Sequence, residues 1–282
     1  MHTVELPQGS VQYRVAGPAE SSQPPVVFVH GLLVNAELWS GAAEALAERG
    51  VRSYSIELPL GSHTVPLDPA ADVTPRGVAR LILDFLAALE LTDVTLVGND
   101  TGGALCQFVI DTDASRIGRL VLTNCDAFEQ FPPPPFGMLV TLGRRPGRLR
   151  LAMRMMGPEP LRHSKLGYGG LATGPLDPEL TTRWARPCAA DRAIAAGTAQ
   201  FLRGIDKRDL VAIGERLSRF EKPVLLLWGT ADRFFKLALG RRLAAAFPHA
   251  RLVPVEGART FVALDEPERL AAEITAFSTA AA

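Results

Sequence analysis

The 282-residue sequence predicts an α/β protein, in which a mostly parallel sheet is flanked by helices and carries an inserted helical cap. Short apolar runs alternate with helical patterns along most of the chain. One long stretch, residues 129–220, lacks a clear buried strand, and the chain then returns to an apolar run. We therefore expect a first core part in residues 1–128, the cap in residues 129–220 and a second core part in residues 221–282.

The core elements follow from the apolar pattern. Short apolar runs bounded by turn residues indicate buried parallel strands, and they lie at residues 25–29, 51–58, 94–97, 120–123, 224–228 and 251–255. The residues around Tyr13 fit an antiparallel strand at the start. Apolar residues at helical spacing predict helices at residues 42–50, 77–91 and from about residue 104.

The cap is predicted to be helical throughout, because its apolar residues recur at helical spacing. The helical pieces lie at residues 138–142, 149–156, 177–184, 191–201 and 210–220. A second, independent domain is the alternative. The return of the chain to the sheet at Pro223 favours an insertion.

Composition limits the partners. The 30 basic and 30 acidic residues cancel, and no long run of one sign occurs, which argues against nucleic acid and against electrostatic attachment to a membrane. We expect a small-molecule substrate, no metal and no cofactor. Three scattered cysteines fit buried apolar positions rather than disulfides. Neither a signal-like start nor a long apolar run is visible, so a cytoplasmic location is the expectation, as a monomer or a homodimer.

Three motifs follow predicted strands. The first, Val26–Leu33, ends an apolar strand in His30-Gly31. A glycine there lets backbone N–H groups face a ligand and stabilise an oxyanion at the carboxyl end of the sheet.

The second motif, Leu96–Ala104, has glycines two residues before and two residues after Asp100. A strand precedes it and a helix follows, which is the pattern of a nucleophile elbow with aspartate in place of serine. A carboxylate at the head of a helix is stabilised by N–H donors and by the helix dipole. An ordinary helix N-cap is the alternative.

The third motif, Leu226–Phe235, runs from a buried strand into a loop that holds Asp232. In a catalytic triad such an acid orients the histidine. A plain turn aspartate is the alternative.

Together these motifs resemble the α/β-hydrolase superfamily over residues 20–280, and the aspartate resembles the branch of haloalkane dehalogenases, fluoroacetate dehalogenases and epoxide hydrolases. In that branch the carboxylate attacks carbon and forms an ester, which a histidine-activated water hydrolyses. The resemblance implies that Asp100 is the nucleophile and Asp232 the acid. It also implies that the N–H groups of Leu32 and Thr101 form the oxyanion hole.

The chain departs from that branch at several positions. Thr260 stands where the catalytic histidine is expected, and threonine cannot accept a proton near neutral pH. Dehalogenases place halide-binding residues at the positions of Thr101 and Leu32. Epoxide hydrolases have proline at the position of Leu33 and use two cap tyrosines, whereas this cap has only Tyr168.

Other residues were assessed as site candidates. His63 follows the second predicted parallel strand and is the histidine best placed to replace the missing base, although a plain loop histidine is the alternative. His30 lies at the oxyanion turn and is a predicted substrate contact, although a histidine at this position usually has a structural role. Substrate contacts are predicted for a set of aromatic residues. They are Phe128, Phe131, Trp184 and Phe234.

Three functions remain open at this stage. The first is a hydrolase acting through Asp100 on a small, largely apolar substrate. The second is a cofactor-free lyase, isomerase or cyclase that uses Asp100 as acid or base, with a pKa raised by burial and by Asp232. The third is a catalytically silent homologue that keeps the pocket as a ligand-binding site.

Overall fold

The computed structural model describes residues 1–134 and 136–280. Pro135, in the predicted cap, and residues 281–282, in the predicted second core part, lie outside the described residues. An eight-stranded sheet runs through the chain in the order β1-β2-β4-β3-β5-β6-β7-β8. The strands are β1 (His2–Leu6), β2 (Gly9–Ala16), β3 (Val26–Val29), β4 (Ser53–Ile56), β5 (Val94–Asp100), β6 (Ile117–Cys125), β7 (Val224–Gly229) and β8 (Ala250–Val255).

The first two strands pair antiparallel, β1 with β2 and β2 with β4, and all later pairs are parallel. This confirms the predicted mostly parallel sheet and the antiparallel strand around Tyr13. The central strands β3, β5 and β7 are buried along their whole length apart from Asp100, as their continuous apolar runs predict.

Helices cover both faces of the sheet. Those packed with the core are α1 (Ser40–Glu48), α2 (Pro75–Ala88), α3 (Thr101–Thr112), α10 (Leu237–Ala246), α11 (Val262–Asp265) and α12 (Pro267–Ala280). Two buried apolar clusters result, one on each side of the central strands. Cys106, Cys125 and Cys188 are buried free thiols, as expected from the sequence.

The strand order explains how the motifs meet. The chain passes from β3 to β4 on one side and then returns to β5 on the other side of β3. Such a reversal opens a crevice at the carboxyl ends of the strands, where α/β proteins bind ligands. The loop after β3, with Leu32, therefore lies beside the end of β5, with Asp100.

Between β6 and β7 the described residues form helices and no strand. They are α4 (Gly137–Gly143), α5 (Pro146–Met155), α6 (Glu159–Arg162), α7 (Pro178–Ala190), α8 (Arg192–Gly204) and α9 (Lys207–Gly214), with short 3-10 turns at Tyr168–Gly170 and Leu217–Arg219. We call residues 126–223 the helical insertion. None of the helices in the described part of the chain is long and apolar enough to cross a membrane.

The helical insertion contacts loops that leave the carboxyl ends of the strands. The Tyr168 hydroxyl donates to the Leu33 carbonyl at 2.7 Å, after β3. The Ser62 hydroxyl donates to the Trp184 carbonyl at 2.7 Å, after β4. The Phe261 N–H donates to the Leu171 carbonyl at 2.8 Å, after β8. These contacts place the insertion on the sheet edge that carries Asp100. Its boundaries as a separate cap domain stay a prediction.

Candidate active site at the carboxyl edge of the sheet

Asp100 stands at the turn from β5 to α3, with φ 53° and ψ −130°. A positive φ is unfavourable for a residue with a side chain and is kept only where the surroundings enforce it. No capping hydrogen bond from the Asp100 side chain to the helix is present among the described residues. The expected strained turn is therefore confirmed, and the geometry is not that of an ordinary N-cap.

The glycines around Asp100 are required by close backbone approaches. A Cβ on Gly102 would lie 2.2 Å from the Val29 carbonyl oxygen, and one on Gly98 would lie 2.8 Å from the Gly102 carbonyl oxygen. Both separations are far below van der Waals contact. The spacing of small residues in the sequence thus reports how tightly β3, β5 and α3 converge at the turn.

The carboxyl group of Asp100 faces backbone donors. The Leu32 N–H donates to Oδ2 at 3.3 Å, and the neighbouring Thr101 N–H stabilises the ionised form of the carboxyl. Gly31 allows this approach, because a Cβ on it would lie only 2.2 Å from Asp100 Oδ2. Oδ2 of Asp100 is therefore held by the Leu32 N–H, and the residue is only partly exposed.

Replacing Gly31 with alanine is expected to displace the Asp100 carboxyl from the Leu32 N–H, since the new methyl group would overlap Oδ2. We expect a destabilisation of about 1–3 kcal/mol, the usual cost of overpacking, and a loss of reactivity at Asp100. Thermal unfolding and a reactivity assay measure both. Gly197→Ala is the matched control, because no heavy atom lies within 4 Å of its added Cβ. Unchanged reactivity of Gly31→Ala would contradict this account.

Burial raises the pKa of Asp100 to about 6, while the N–H groups of Thr101 and Leu32 lower it and the charge of Asp232 raises it further. At neutral pH the carboxyl is mostly ionised, and it is poorly solvated. A carboxylate of this kind is a better nucleophile or base than one in bulk water.

A second carboxyl, Asp126, lies beside Asp100 and was missed in the sequence. It follows Cys125, which pairs with Asp100 across β5 and β6, and it is 1% exposed. The Thr101 hydroxyl donates to its Oδ2 at 3.2 Å, while Oδ1 has no partner among the described residues. Burial and the charge of Asp100 raise the pKa of Asp126 well above its ordinary value, which favours the protonated form of this carboxyl.

Asp232 and Thr260 are hydrogen-bonded, as expected. The Thr260 hydroxyl donates to Asp232 Oδ2 at 2.9 Å, and both residues are buried. The N–H groups of Phe234 and Phe235 donate to Oδ1 at 2.7 and 3.1 Å. Burial raises the pKa of Asp232 even though these donors lower it. Thr260 thus hydrogen-bonds to Asp232, and its hydroxyl cannot act as a base near neutral pH.

Two asparagines, also missed in the sequence, hold this arrangement together. Asn99 donates to the Thr260 carbonyl at 2.6 Å, which ties the loop after β8 to the turn at Asp100. Asn124 donates to Asp232 Oδ2 at 2.9 Å and accepts from the Gly229 N–H at 2.6 Å. The Asp232 carboxylate accepts four hydrogen bonds in all, from Asn124, Thr260, Phe234 and Phe235. It therefore has little capacity left to activate water.

The two histidines proposed for the site are engaged elsewhere. Nε2 of His30 accepts from the Leu58 N–H at 2.9 Å, and Nδ1 lies 2.8 Å from the Gly31 carbonyl. His30 is fully buried, which lowers its pKa to about 4. His30 therefore holds the turn, and its contact with substrate stays a prediction.

His63 is also buried, and burial lowers its pKa to about 4. Its Nδ1 accepts from the Gly61 N–H at 3.3 Å, and the charged groups that act on it are His30 and Asp191. Neither Asp100 nor Asp232 is among them. A role of His63 as the base stays a prediction that the geometry does not favour.

Most of the aromatic residues predicted to contact substrate are packing residues. Trp184 is fully buried and donates to Asn35 Oδ1 at 2.8 Å. Phe131 packs on Phe108, with ring centroids 6.2 Å apart. Both side chains fill the junction between the helical insertion and the core, and their contact with substrate stays a prediction.

Phe128 and Phe234 differ in exposure. The ring of Phe128 lies under the Arg242 guanidinium, 3.9 Å from the ring centroid, and its contact with substrate stays a prediction. Phe234 is half-buried, stacks near Phe136 at 4.8 Å and follows Asp232 closely in the chain. Of the four predicted aromatic residues, Phe234 is the one whose exposure best fits a contact with substrate.

The departures from the epoxide hydrolase pattern have a physical basis. Leu33 has φ 57°, which a proline ring cannot adopt, and its N–H donates to the Leu60 carbonyl at 2.9 Å. Tyr168 is buried, and its hydroxyl already donates to Leu33. This tyrosine is not free to polarise an epoxide in the present arrangement.

Comparison with known proteins supports the fold. A family model described as alpha/beta hydrolase fold matches residues 24–267. Haloalkane dehalogenase 2 of Mycobacterium bovis is 25% identical over 267 residues, covering 90% of this chain and 88% of that protein. A 2-hydroxy-6-oxononadienedioate/2-hydroxy-6-oxononatrienedioate hydrolase of Cupriavidus pinatubonensis is 25% identical over 258 residues, covering 88% of this chain and 85% of that protein.

A solved structure agrees in shape. The haloalkane dehalogenase DbeA of Bradyrhizobium elkani superposes with a TM-score of 0.80, covering 99% of this chain and 97% of that one, at 16% identity. At this identity the likeness bears on the fold alone.

Proposed function

The chain belongs to the alpha/beta hydrolase fold family, and we propose that it is an enzyme whose Asp100 carboxylate attacks a small, largely apolar electrophile. The observation that carries this proposal is the placement of Asp100 on a strained turn, with Leu32 N–H at 3.3 Å from Oδ2. Strain of this kind is kept where it aims a reactive side chain. The dehalogenases and hydrolases among its relatives support the same class of chemistry.

In the proposed first step, the oxygen of Asp100 that is not held by N–H groups forms a bond to carbon. The bond from that carbon to the leaving group breaks, and the electron pair departs with the leaving group. The product is an ester on Asp100. Its carbonyl oxygen would lie at the N–H groups of Leu32 and Thr101, which are aimed where negative charge develops when the ester is attacked.

In the second step, water attacks the acyl carbon of the ester, and the bond from that carbon to the alkyl oxygen breaks. The alcohol leaves with an oxygen that began in Asp100, and the water oxygen remains in the carboxyl group. This step needs a base for the attacking water. Thr260 supplies only hydrogen bonds, and Asp232 is already saturated, so we propose that ester hydrolysis is the slow step.

The substrate class follows from what surrounds the carboxyl. Leu32 contributes an apolar side chain where halide-binding residues stand in dehalogenases, and the Thr101 hydroxyl is occupied by Asp126. A strongly solvated leaving group would therefore find few donors. We propose an uncharged aliphatic or aromatic electrophile, with alkyl halides, epoxides and activated esters as the panel to test.

A single turnover in heavy-oxygen water tests the mechanism. If Asp100 is the nucleophile, the first product carries ordinary oxygen and one heavy oxygen enters the Asp100 carboxyl, which peptide mass spectrometry detects. If Asp100 is only a base, the heavy oxygen appears in the product and the protein keeps its mass. That second result would contradict the proposal.

The rate of ester formation is expected to rise with pH through about 6, because the attacking form is the carboxylate and the pKa of Asp100 is about 6. The ionised fraction falls about tenfold between pH 7 and pH 5 for such a group. The rate of ester formation, measured in a stopped assay at several pH values between 5 and 7, checks this expectation. A rate independent of pH between 5 and 7 would mean that another group reacts.

A second candidate is non-hydrolytic acid–base chemistry by Asp100, as in a lyase or isomerase. The buried carboxyl of Asp126 beside Asp100 is the observation that favours it, because two neighbouring carboxyls whose environments separate their pKa values provide an acid and a base. Turnover that incorporates heavy oxygen into neither product nor protein would support this candidate over the first.

A further inference from the structure

The exposed large apolar side chains of this protein gather in one segment. Apart from Met1, every such side chain in the described residues lies between residues 138 and 166, with exposed fractions of 43–78%. They are Met138, Leu142, Leu151, Met155, Leu161 and Leu166. All six belong to the helical insertion, on and just after α4, α5 and α6, and α4 packs against α5. Clustered exposure of this kind marks an interaction surface.

The same segment is strongly basic. Residues 137–158 contain five arginines and no acidic residue, although the whole chain is neutral. Four of them, Arg144, Arg145, Arg148 and Arg154, are exposed. Within the described part of the chain, none of the five forms an ion pair with a carboxylate. We call these exposed apolar and basic side chains the insertion face.

The spacing on α5 interleaves the two kinds of side chain. Arg148, Leu151 and Met155 follow each other at helical intervals on the exposed side, and Arg154 lies next to them. The opposite side of α5 is anchored in the core through Leu149 and Met153, which are buried. The exposed side of α5 is therefore available to a partner outside this chain.

We propose that the insertion face docks on the surface of an anionic lipid bilayer. Exposed leucine and methionine side chains can enter the boundary between headgroups and acyl chains, while the arginines contact anionic headgroups. Docking is independent of the chemistry at Asp100. It departs from the expectation drawn from the neutral total charge, because that total averages a basic insertion with an acidic remainder.

The chemistry of the insertion face separates lipid from other polyanions and from self-association. Single-stranded nucleic acids are held by aromatic stacking, whereas the exposed side chains here are aliphatic. A second copy meeting through the same face would bring like charges together. Apolar side chains surrounded by unpaired arginines fit an anionic, partly apolar surface best.

Flotation with large unilamellar vesicles tests the proposal on the full chain. We expect the protein to float with vesicles that contain about 30% phosphatidylserine at about 50 mM salt, and about tenfold less at about 500 mM salt. Pure phosphatidylcholine vesicles should bind at most a tenth as much. Failure of the wild type to float with anionic vesicles at low salt would overturn the proposal.

Two variants separate the contributions. Arg148→Gln with Arg154→Gln should weaken partitioning about twenty-five-fold, at about fivefold for each basic residue near the surface. Leu151→Ser with Met155→Ser should weaken it at least tenfold. All four side chains are exposed, so the thermal unfolding midpoint should not change.

Arg80→Gln with Arg241→Gln is the matched control, because both arginines are exposed on core helices and the change in net charge is the same. This control should partition like the wild type. Equal weakening by the control would mean that total charge alone matters and would overturn the proposal. Partitioning that is lost in the arginine variant but not in the serine variant would show headgroup binding without apolar insertion, which also contradicts the proposal. Binding to a single-stranded oligonucleotide with the same affinity as to anionic vesicles would contradict the proposal as well.

Discussion

Replacing Thr260 with histidine is expected to raise the rate of ester hydrolysis on Asp100 about a hundred- to ten-thousand-fold, the usual worth of a general base. In the structure, the Thr260 hydroxyl donates to Asp232 Oδ2 at 2.9 Å. An imidazole at this position would donate one ring N–H to the same oxygen and present its other nitrogen to water. Asp232 would then orient the ring, as the acid does in a triad.

The measurement is the decay rate of a preformed ester in wild type and in Thr260→His, followed by mass. Thr260 is fully buried, so thermal unfolding of the variant must be recorded beside the rate. Thr260→Val is the control, because it keeps the shape and removes the hydroxyl. A folded Thr260→His that decays no faster than wild type would mean that another base already serves the site, and His63 would be the next residue to replace.

Replacing Asp100 with asparagine is expected to abolish ester formation, because a carboxamide oxygen has no negative charge with which to attack carbon. The two side chains have nearly the same shape, and the backbone turn should persist. The readout is the mass shift after incubation with the electrophile panel.

Asp126→Asn is the matched control for this variant. Asp126 is a buried carboxyl whose Oδ2 accepts from the Thr101 hydroxyl, and an asparagine oxygen can accept the same bond. We expect ester formation to stay within about threefold of wild type, because this replacement keeps the hydrogen bond and leaves the Asp100 carboxylate in place. Ester formation that survives in Asp100→Asn, or that is lost only in Asp126→Asn, would contradict the assignment of Asp100 as the nucleophile.

The parts of the site that the sequence predicts are those that depend on neighbours in the chain. Gly98, Asp100 and Gly102 form a spaced pattern because one turn needs two small flanks, and each of the two glycines meets backbone atoms at a distance that admits no side chain. The pairing of Thr260 with Asp232 follows from a motif frame at the ends of two adjacent strands.

The parts that the sequence does not predict depend on register and packing. Asp126 reaches the site because Cys125 pairs with Asp100 across two strands, and a single sequence does not fix that register. Asn99 and Asn124 matter through amide hydrogen bonds to distant loops. The roles of Trp184 and Phe131 stay open for a related reason: composition does not distinguish an aromatic ring that fills a junction from one that lines a cavity.

The helical insertion likewise has features that the sequence predicts and features that it does not. Helical periodicity in residues 138–220 predicts its class, and the structure places helices over most of that range. The exposed face of α4 to α6 could not be predicted, because periodicity identifies an apolar side but does not say that exposed leucines and methionines remain beside unpaired arginines.

The measurement that tests the central claim most directly is the intact mass of the wild-type protein after exposure to an apolar electrophile, followed by peptide mapping. The account predicts one added alkyl group per chain, located on Asp100, which persists in the wild type and disappears faster in Thr260→His. Turnover of the same electrophile with no added mass at any time in the wild type, and no change of rate in Asp100→Asn, would contradict it.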